Sequence, residues 1–169
     1  MDKKKPSVEI EKFKAKAKNK AKENKIFLRK LRKRKPADLD KVILELHNEV
    51  FSYIDCLECA NCCKTTSPII IDRDIDRLAK RLKTKPSQIV ENYLRLDEDE
   101  DYVFTQAPCP FLMLDNYCMV YEDRPRACRE YPHTNRKRFH QILSITYKNT
   151  MVCPAVLEIV EGLKKIYNH

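Results

Sequence analysis

Four cysteines stand within eight residues of the sequence, in the stretch CLECANCC that runs from Cys56 to Cys63. In Cys56-x-x-Cys59-x-x-Cys62 every third residue is a thiol. On a helical or turn backbone this spacing places the three side chains on one face, near enough to share a metal centre. Cys63 is offset by about 100° on a helix, so it points away from Cys62. The pair therefore predicts two metal ions or one polynuclear cluster.

Four further cysteines lie downstream, each beside a turn signal where the backbone can curve around a ligand. Cys109 and Cys153 are both followed by proline, as is the last cysteine of the bacterial ferredoxin motif, which slightly favours an iron–sulfur cluster. Eight thiolates can form two closed four-cysteine zinc sites, or they can hold one or two iron–sulfur clusters. Soft thiolate ligands suit both, and spacing does not separate them. The predicted metal ligands are Cys56, Cys59, Cys62, Cys63, Cys109, Cys118, Cys128 and Cys153.

The cellular compartment bears on what these thiols do. We find no apolar run of signal-peptide length at the N-terminus and no segment with the roughly 18 apolar residues of a membrane span. We therefore expect a cytoplasmic protein with no membrane partner, in which thiols stay reduced and bind metal rather than form disulfides. The alternative, that the thiols are small buried hydrophobes, suits scattered cysteines but not the stretch 56–63.

The positive charge is concentrated at the N-terminus. Residues 1–36 hold 16 of the 34 Lys and Arg but only 4 of the 25 Asp and Glu, a formal charge of +12, which leaves −3 for the rest. Apolar or small residues recur there at helical spacing, for example Phe13, Ala17 and Leu28, so the segment predicts a long amphipathic helix. Pro36 ends it. We therefore predict a basic amphipathic helical arm, 1–36, and a cysteine-cluster metal-binding domain, 37–169.

Two alternatives stay open for this arm. It could contact nucleic acid or an acidic partner, with the strong salt dependence of counterion release. It could instead be a solvated face whose apolar stripe docks on the protein's own body. No base-reading motif or stacking platform is apparent in the segment.

The rest of the pattern predicts a mostly α-helical fold with one short β-hairpin, organised around the cysteine-ligated metal centre. The hairpin is expected in APCPFLMLDNYCMVY, about Asp115 and Asn116. The acidic run 97–101 is expected to be a solvated loop, and 72–82 a helix capped by Asp72. Because Gly162 is the only glycine, phosphate-binding P-loops and G-x-G-x-x-G turns are excluded.

The ordered set of motifs resembles the CxxCxxCC cysteine-cluster family, also called YkgJ-like. The motifs that carry the resemblance are CLECANCC at 56–63, IDRDIDRLAKRL at 71–82, PCPFL at 108–112, Cys118, YEDRPRACREYP at 121–132 and CPA at 153–155. The resemblance implies chelation of zinc or iron, with the eight cysteines as ligands. The basic arm lies outside the family's pattern.

Two functions compete on this basis. In the first, the metal centre is used chemically, in an iron–sulfur oxidoreductase-like or group-transfer protein, because eight thiols exceed what one structural zinc needs. In the second, a structural zinc stabilises the fold of a binding module whose basic arm contacts nucleic acid or an acidic partner. The sequence identifies no catalytic residue. Both functions predict that the eight sulfurs gather in one or two clusters.

Overall fold

The fold was obtained as a computed structural model, and it describes residues 8–167. Short 3-10 turns cover Tyr121–Asp123 and Phe139–Ile142. The helices and strands, in chain order, are α1 (Ile10–Arg34), α2 (Leu39–Phe51), α3 (Cys56–Cys59), α4 (Asn61–Thr65), α5 (Asp72–Leu82), α6 (Pro86–Tyr93), β1 (Leu94–Leu96), β2 (Tyr102–Phe104), α7 (Arg126–Glu130), α8 (Leu143–Asn149) and α9 (Pro154–Tyr167).

The predicted class, mostly helical with one antiparallel hairpin, is confirmed. The described residues form two compact units. Unit 1 comprises 8–59 and 132–167, and unit 2 comprises 60–131. The predicted division into an arm, 1–36, and a metal-binding domain, 37–169, is a functional division that these two units do not test, and it stays a prediction. Of the helices between residues 8 and 167, none is long and apolar enough to cross a membrane.

In unit 1, helix α1 buries one side and exposes the others. Phe13, Ala17, Phe27 and Leu31 are buried at the helical spacing that the sequence predicts. This apolar side packs on α8 and α9. The helix ends where Lys35 takes a left-handed conformation (φ 45°) and donates its N–H to the Leu31 carbonyl, one residue before the proline. The apolar stripe therefore docks within unit 1, as the second alternative for the segment predicted.

Helices α2 and α9 pack closely at the one glycine of the chain. A Cβ on Gly162 would lie 2.7 Å from Leu46 Cδ2, so a larger residue would require the Leu46 side chain to shift. The start of α2 also contacts the end of α9, because Asp38 accepts a 2.8 Å hydrogen bond from the Tyr167 hydroxyl. Asp38 makes no side-chain cap to its own helix.

In unit 2, the hairpin lies in a different place from the one predicted. Strands β1 and β2 pair antiparallel across the acidic run 97–101, which is the connecting loop. Asp97 organises this loop, since its carboxylate accepts the N–H groups of Asp99 and Asp101 at 3.0 Å. The predicted hairpin about Asp115 and Asn116 is reduced to a single bridge, Leu112 with Cys118.

The core of unit 2 consists of α5, α6, the hairpin and the segment that follows it. Phe104 and Phe111 meet edge to face, with ring centroids 5.6 Å apart, and Tyr93 packs on Phe111 at 5.0 Å. Cys109 and Cys118 are half-buried against this cluster. The aromatic core therefore fixes the backbone that carries two of the predicted ligands.

Candidate metal centre

The CxxCxxCC motif is interrupted by a backbone turn at Ala60. Helix α3 ends at Cys59, Ala60 takes a left-handed conformation (φ 46°, ψ 16°), and α4 begins at Asn61. A left-handed alanine costs about 1 to 2 kcal/mol of steric energy, and here its methyl group is buried. The turn stands between Cys59 and Cys62, so the three thiols do not lie on one continuous helix, and the sharing of one face stays a prediction.

Unit 1 contains three thiols, those of Cys56, Cys59 and Cys153. Asp55 caps α3, since its carboxylate accepts the Leu57 N–H at 2.8 Å and its carbonyl accepts the Cys59 N–H at 3.1 Å. Cys153 is buried immediately before α9, whose Leu157 N–H bonds to its carbonyl at 3.1 Å. The helix starts therefore set the positions of these thiols.

Burial raises the pKa of Cys153 to about 12. The N–H groups of Val156 and Ala155, at the start of α9, oppose this rise, while negative charge on Cys56 and Cys59 adds to it. Cys56 and Cys59 therefore interact electrostatically with Cys153, and this interaction opposes ionisation of Cys153.

The Tyr53 side chain connects two parts of unit 1, the segment before α3 and helix α9. Its hydroxyl donates a 2.6 Å hydrogen bond to Glu158 Oε2. Burial, and then this bond to the carboxylate, raises the pKa of Tyr53 above its usual range, so the hydroxyl keeps its proton as the donor. The contact holds the segment before Cys56 near the helix that follows Cys153.

Unit 2 contains five thiols, beginning with the adjacent pair Cys62 and Cys63. Their sulfurs lie 4.0 Å apart in a hydrogen bond. This bond is the main reason why the pKa of Cys63 falls to about 7, against the opposing effect of burial. The Cys63 backbone N–H and the charges of Lys64 and Arg124 lower the pKa of this thiol further.

The pKa values of the other three thiols of unit 2 are raised rather than lowered. Burial raises the pKa of Cys109 to about 11 and that of Cys128 to about 12, and it also raises the pKa of Cys118. Negative charge on Cys63 contributes to the rise in all three. A backbone hydrogen bond of 2.8 Å from the Cys109 N–H to the Cys63 carbonyl ties the two cysteine segments together.

A buried ion pair fixes the segment that carries Cys128. Asp74, which is 1 % exposed, pairs with Arg77 one turn along α5 and accepts the backbone N–H of Arg126 at 3.0 Å. Arg77 in turn donates to the carbonyls of Asp123 and Arg124, each at 3.2 Å. We call these contacts the Asp74–Arg77 clamp.

The clamp was not foreseen from the sequence. The acidic start of α5 is visible there, but it suggested Asp72 as the cap, whereas Asp72 is the first helical residue and is exposed. The carboxylate that bonds to the residue before the helix, the Ile71 N–H at 3.3 Å, belongs to Asp74.

The arginines around Cys128 act in different ways. Arg124 lies 3.8 Å over the Tyr121 ring, and its charge lowers the pKa of Cys63 and Cys118. Arg126 instead pairs with Glu130 at 2.6 Å.

The geometry does not present a ready-made cage. Between residues 8 and 167, no three His, Cys, Asp or Glu side chains are placed so that together they could hold a metal ion. The expected gathering of sulfurs into finished clusters is therefore wrong for this part of the chain. The donor chemistry still fits a thiophilic cation, because neighbouring thiols raise one another's pKa and a bound cation would offset that repulsion.

Comparison with known families settles the relationship. The sequence model of the CxxCxxCC family, described as "Putative zinc- or iron-chelating domain", matches residues 55–153, more than half of the chain. The chain belongs to the CxxCxxCC family. The match begins at Asp55, the cap of α3, and ends at Cys153, so the CxxCxxCC domain includes all eight cysteines. Searches of curated proteins and of solved structures found no match.

Proposed function

We propose that the protein binds zinc or iron through cysteine thiolates, drawing on the eight ligands predicted above. The observation that carries the proposal is the set of five thiols in unit 2. Cys63 lies beside Cys62, and its charge raises the pKa of Cys109, Cys118 and Cys128, so these sulfurs lie within one electrostatic environment. Four thiolates suffice for one closed tetrahedral zinc site.

The ionisation pattern supports stepwise metal capture. Cys63 has a pKa of about 7, so a large share of this thiol is ionised at neutral pH and can bind a cation first. Its thiolate then opposes ionisation of Cys109 and Cys128 until a cation is present. Metal binding would release these protons and draw the remaining sulfurs inward, so that binding and local folding are coupled.

Two kinds of centre are compatible with the CxxCxxCC family. A closed zinc site would stabilise the fold. An iron–sulfur cluster would supply electron transfer when bound, and its potential would respond to nearby positive charge such as that of Arg124. The surplus of thiols over one zinc site favours a centre that is chemically used, as in an oxidoreductase or group-transfer protein.

Metal analysis with an absorption spectrum tests this proposal. The protein should be purified without air and without a metal-chelating tag. Iron with inorganic sulfide and a broad band near roughly 400 nm would assign the cluster, whereas colourless protein with one or two zinc ions would assign the structural site. Folded protein that contains neither metal, and that takes up neither zinc nor iron when they are added, would overturn the proposal.

A second candidate function follows from the charge of unit 1. Residues 8–59 and 132–167 contain 20 Lys and Arg against 11 Asp and Glu, a formal charge of +9, whereas 60–131 carry 11 against 13. This asymmetry favours a binding module in which the metal supports the fold and the basic helix α1 contacts a polyanion, either nucleic acid or an acidic protein.

A further inference from the structure

Helix α1 presents a straight row of cations on the side opposite its buried residues. Its members are spaced by three or four residues and are all exposed. At 1.5 Å per residue the row spans about 22 Å. We call it the basic stripe, and it consists of Lys18, Lys22, Lys25, Arg29 and Lys33.

The stripe is not neutralised by the acidic residues of its own helix. Glu9, Glu11 and Glu23 pair with lysines on the flanks of α1, at 2.7 to 2.9 Å. Within the described part of the chain no stripe residue makes an ion pair, and Lys25 lies 6.0 Å from the Tyr147 ring centre. Like charges at a spacing of four residues destabilise a helix, so a bound polyanion would stabilise this one.

The packing of α1 argues against a membrane as the partner. A helix that lies in a membrane interface inserts its apolar face among the lipids. Here that face, with Phe13, Phe27, Leu28 and Leu31, is buried against α8 and α9. The sides of α1 that face solvent are mostly charged, with Ile26 as an isolated exposed apolar residue.

The same residues argue against a single strand. Proteins that bind single strands without sequence preference stack the bases on exposed aromatic rings. Both aromatic side chains of α1, Phe13 and Phe27, are buried. A rigid row of cations without rings suits a regular phosphate backbone instead.

We propose that the basic stripe binds the phosphate backbone of double-helical nucleic acid. The inference rests on the second candidate function and specifies its partner. One strand of a duplex presents a phosphate about every 3.4 Å along its axis. Because the strands wind around that axis, the straight stripe of about 22 Å reaches only the phosphates on the side of the duplex that faces it. The contacts reach no base edge, and binding is independent of base sequence.

Fluorescence anisotropy on the full-length, metal-loaded protein tests the stripe. The probes are a labelled 20-base-pair DNA duplex, an RNA duplex of the same sequence, and each single strand, with anionic vesicles as competitor, between 25 and 200 mM salt. Each phosphate contact steepens the fall of log K with log salt by about 0.9, so the five cations of the stripe set a limiting slope of about −4 to −5. Binding of either duplex, in preference to its single strands, is expected.

Two matched variants separate position from total charge. Lys18→Gln/Lys22→Gln/Arg29→Gln removes three cations of the stripe and should weaken duplex binding by about tenfold or more, with the slope smaller by about 1 for each lost phosphate contact. Lys12→Gln/Lys14→Gln/Lys20→Gln removes the same charge from the flanks. Since these lysines already pair with Glu9, Glu11 and Glu23, the loss should stay below about threefold. Glutamine is a good helix former, and circular dichroism checks that α1 persists.

The contrary outcomes are distinct. Three results would overturn duplex binding by the stripe while leaving polyanion binding in place. They are equal losses of affinity in the two variants, tighter binding of single strands than of duplexes, and competition by vesicles that abolishes duplex binding. No binding of any nucleic acid at 25 mM salt would overturn both the stripe and nucleic-acid binding by the second candidate function.

Discussion

At the scale of single residues, the chemistry depends on one pair of neighbouring thiols. Cys62 and Cys63 share a hydrogen bond of 4.0 Å, and the pKa of Cys63 falls to about 7 mainly because of it. Arg124 and Lys64 contribute through their positive charge. Cys63 is therefore the thiol of this pair that we expect to react as a thiolate in the metal-free protein.

We predict that Cys63 is alkylated with an apparent pKa near 7 in the metal-free protein, because the rate follows the thiolate fraction. Cys62→Ala removes the main cause of the low pKa, so the midpoint of the pH–rate profile should move upward. Mass spectrometry of iodoacetamide-treated protein between pH 6 and 9 measures it. Cys59→Ala is the control, because the Cys59 thiol does not contribute to the pKa shift of Cys63. An unchanged midpoint in Cys62→Ala would contradict the assignment.

At the scale of elements, the Asp74–Arg77 clamp joins helix α5 to the segment before Cys128. It holds a carboxylate that is 1 % exposed and an arginine whose side chain is 25 % exposed. Removing one partner of a buried ion pair leaves the other uncompensated. The clamp therefore stabilises unit 2 through charge as well as through the backbone hydrogen bond from Arg126.

We predict that Asp74→Ala lowers the free energy of unfolding by about 3 kcal/mol, the lower end of the cost of breaking a buried pair. It should also increase hydrogen exchange in residues 123–130. Asp72→Ala, on the exposed first turn of the same helix, is the matched control and should cost no more than about 0.5 kcal/mol. Urea unfolding of both variants measures the difference. Equal costs would show that the clamp contributes nothing specific.

The sequence predicted some elements well and others poorly, for physical reasons. The apolar period of α1 and the proline after it determine that helix locally, so its extent was predictable. The hairpin was misplaced because Leu94 to Phe104 contains an acidic loop rather than a turn with the favoured residues, and strand pairing depends on distant contacts such as Ile69 with Val103. The left-handed Ala60 has no sequence signal, since glycine is the residue that usually marks this conformation.

The arrangement of the candidate site was not predictable from the sequence, and its membership stays a prediction. Spacing and composition singled out all eight cysteines, and the family match covers them. Spacing did not show the break between Cys59 and Asn61. The role of Asp74 depends on burial by residues some 50 positions away, which a local pattern does not contain.

At the scale of the whole molecule, metal and fold should depend on each other. No group of three or more potential ligands is assembled among residues 8–167. If the proposed site binds an ion, we expect the sulfurs to move together around it. Part of the binding free energy then becomes folding free energy. The charge is divided as well, with the excess of basic residues in unit 1.

We predict that removing the metal with a chelator under reducing conditions lowers the urea midpoint of unfolding. At a free metal concentration 1,000 times the dissociation constant, the bound ion contributes about 4 kcal/mol. In the control, the chelator is saturated with metal before it is added to the protein. Re-addition of the ion to the metal-free protein should restore the midpoint. A midpoint that stays constant while the metal is lost would show that the fold does not depend on it.

X-ray absorption at the zinc or iron edge of the protein, purified without air and without a chelating tag, tests the central claim most directly. The account predicts a first coordination shell made of sulfur, at about 2.3 Å if the metal is zinc. Mutation of Cys63 to alanine should lower the sulfur number or the metal content. A shell of nitrogen and oxygen atoms, or a spectrum unchanged by that substitution, would contradict thiolate ligation by these cysteines.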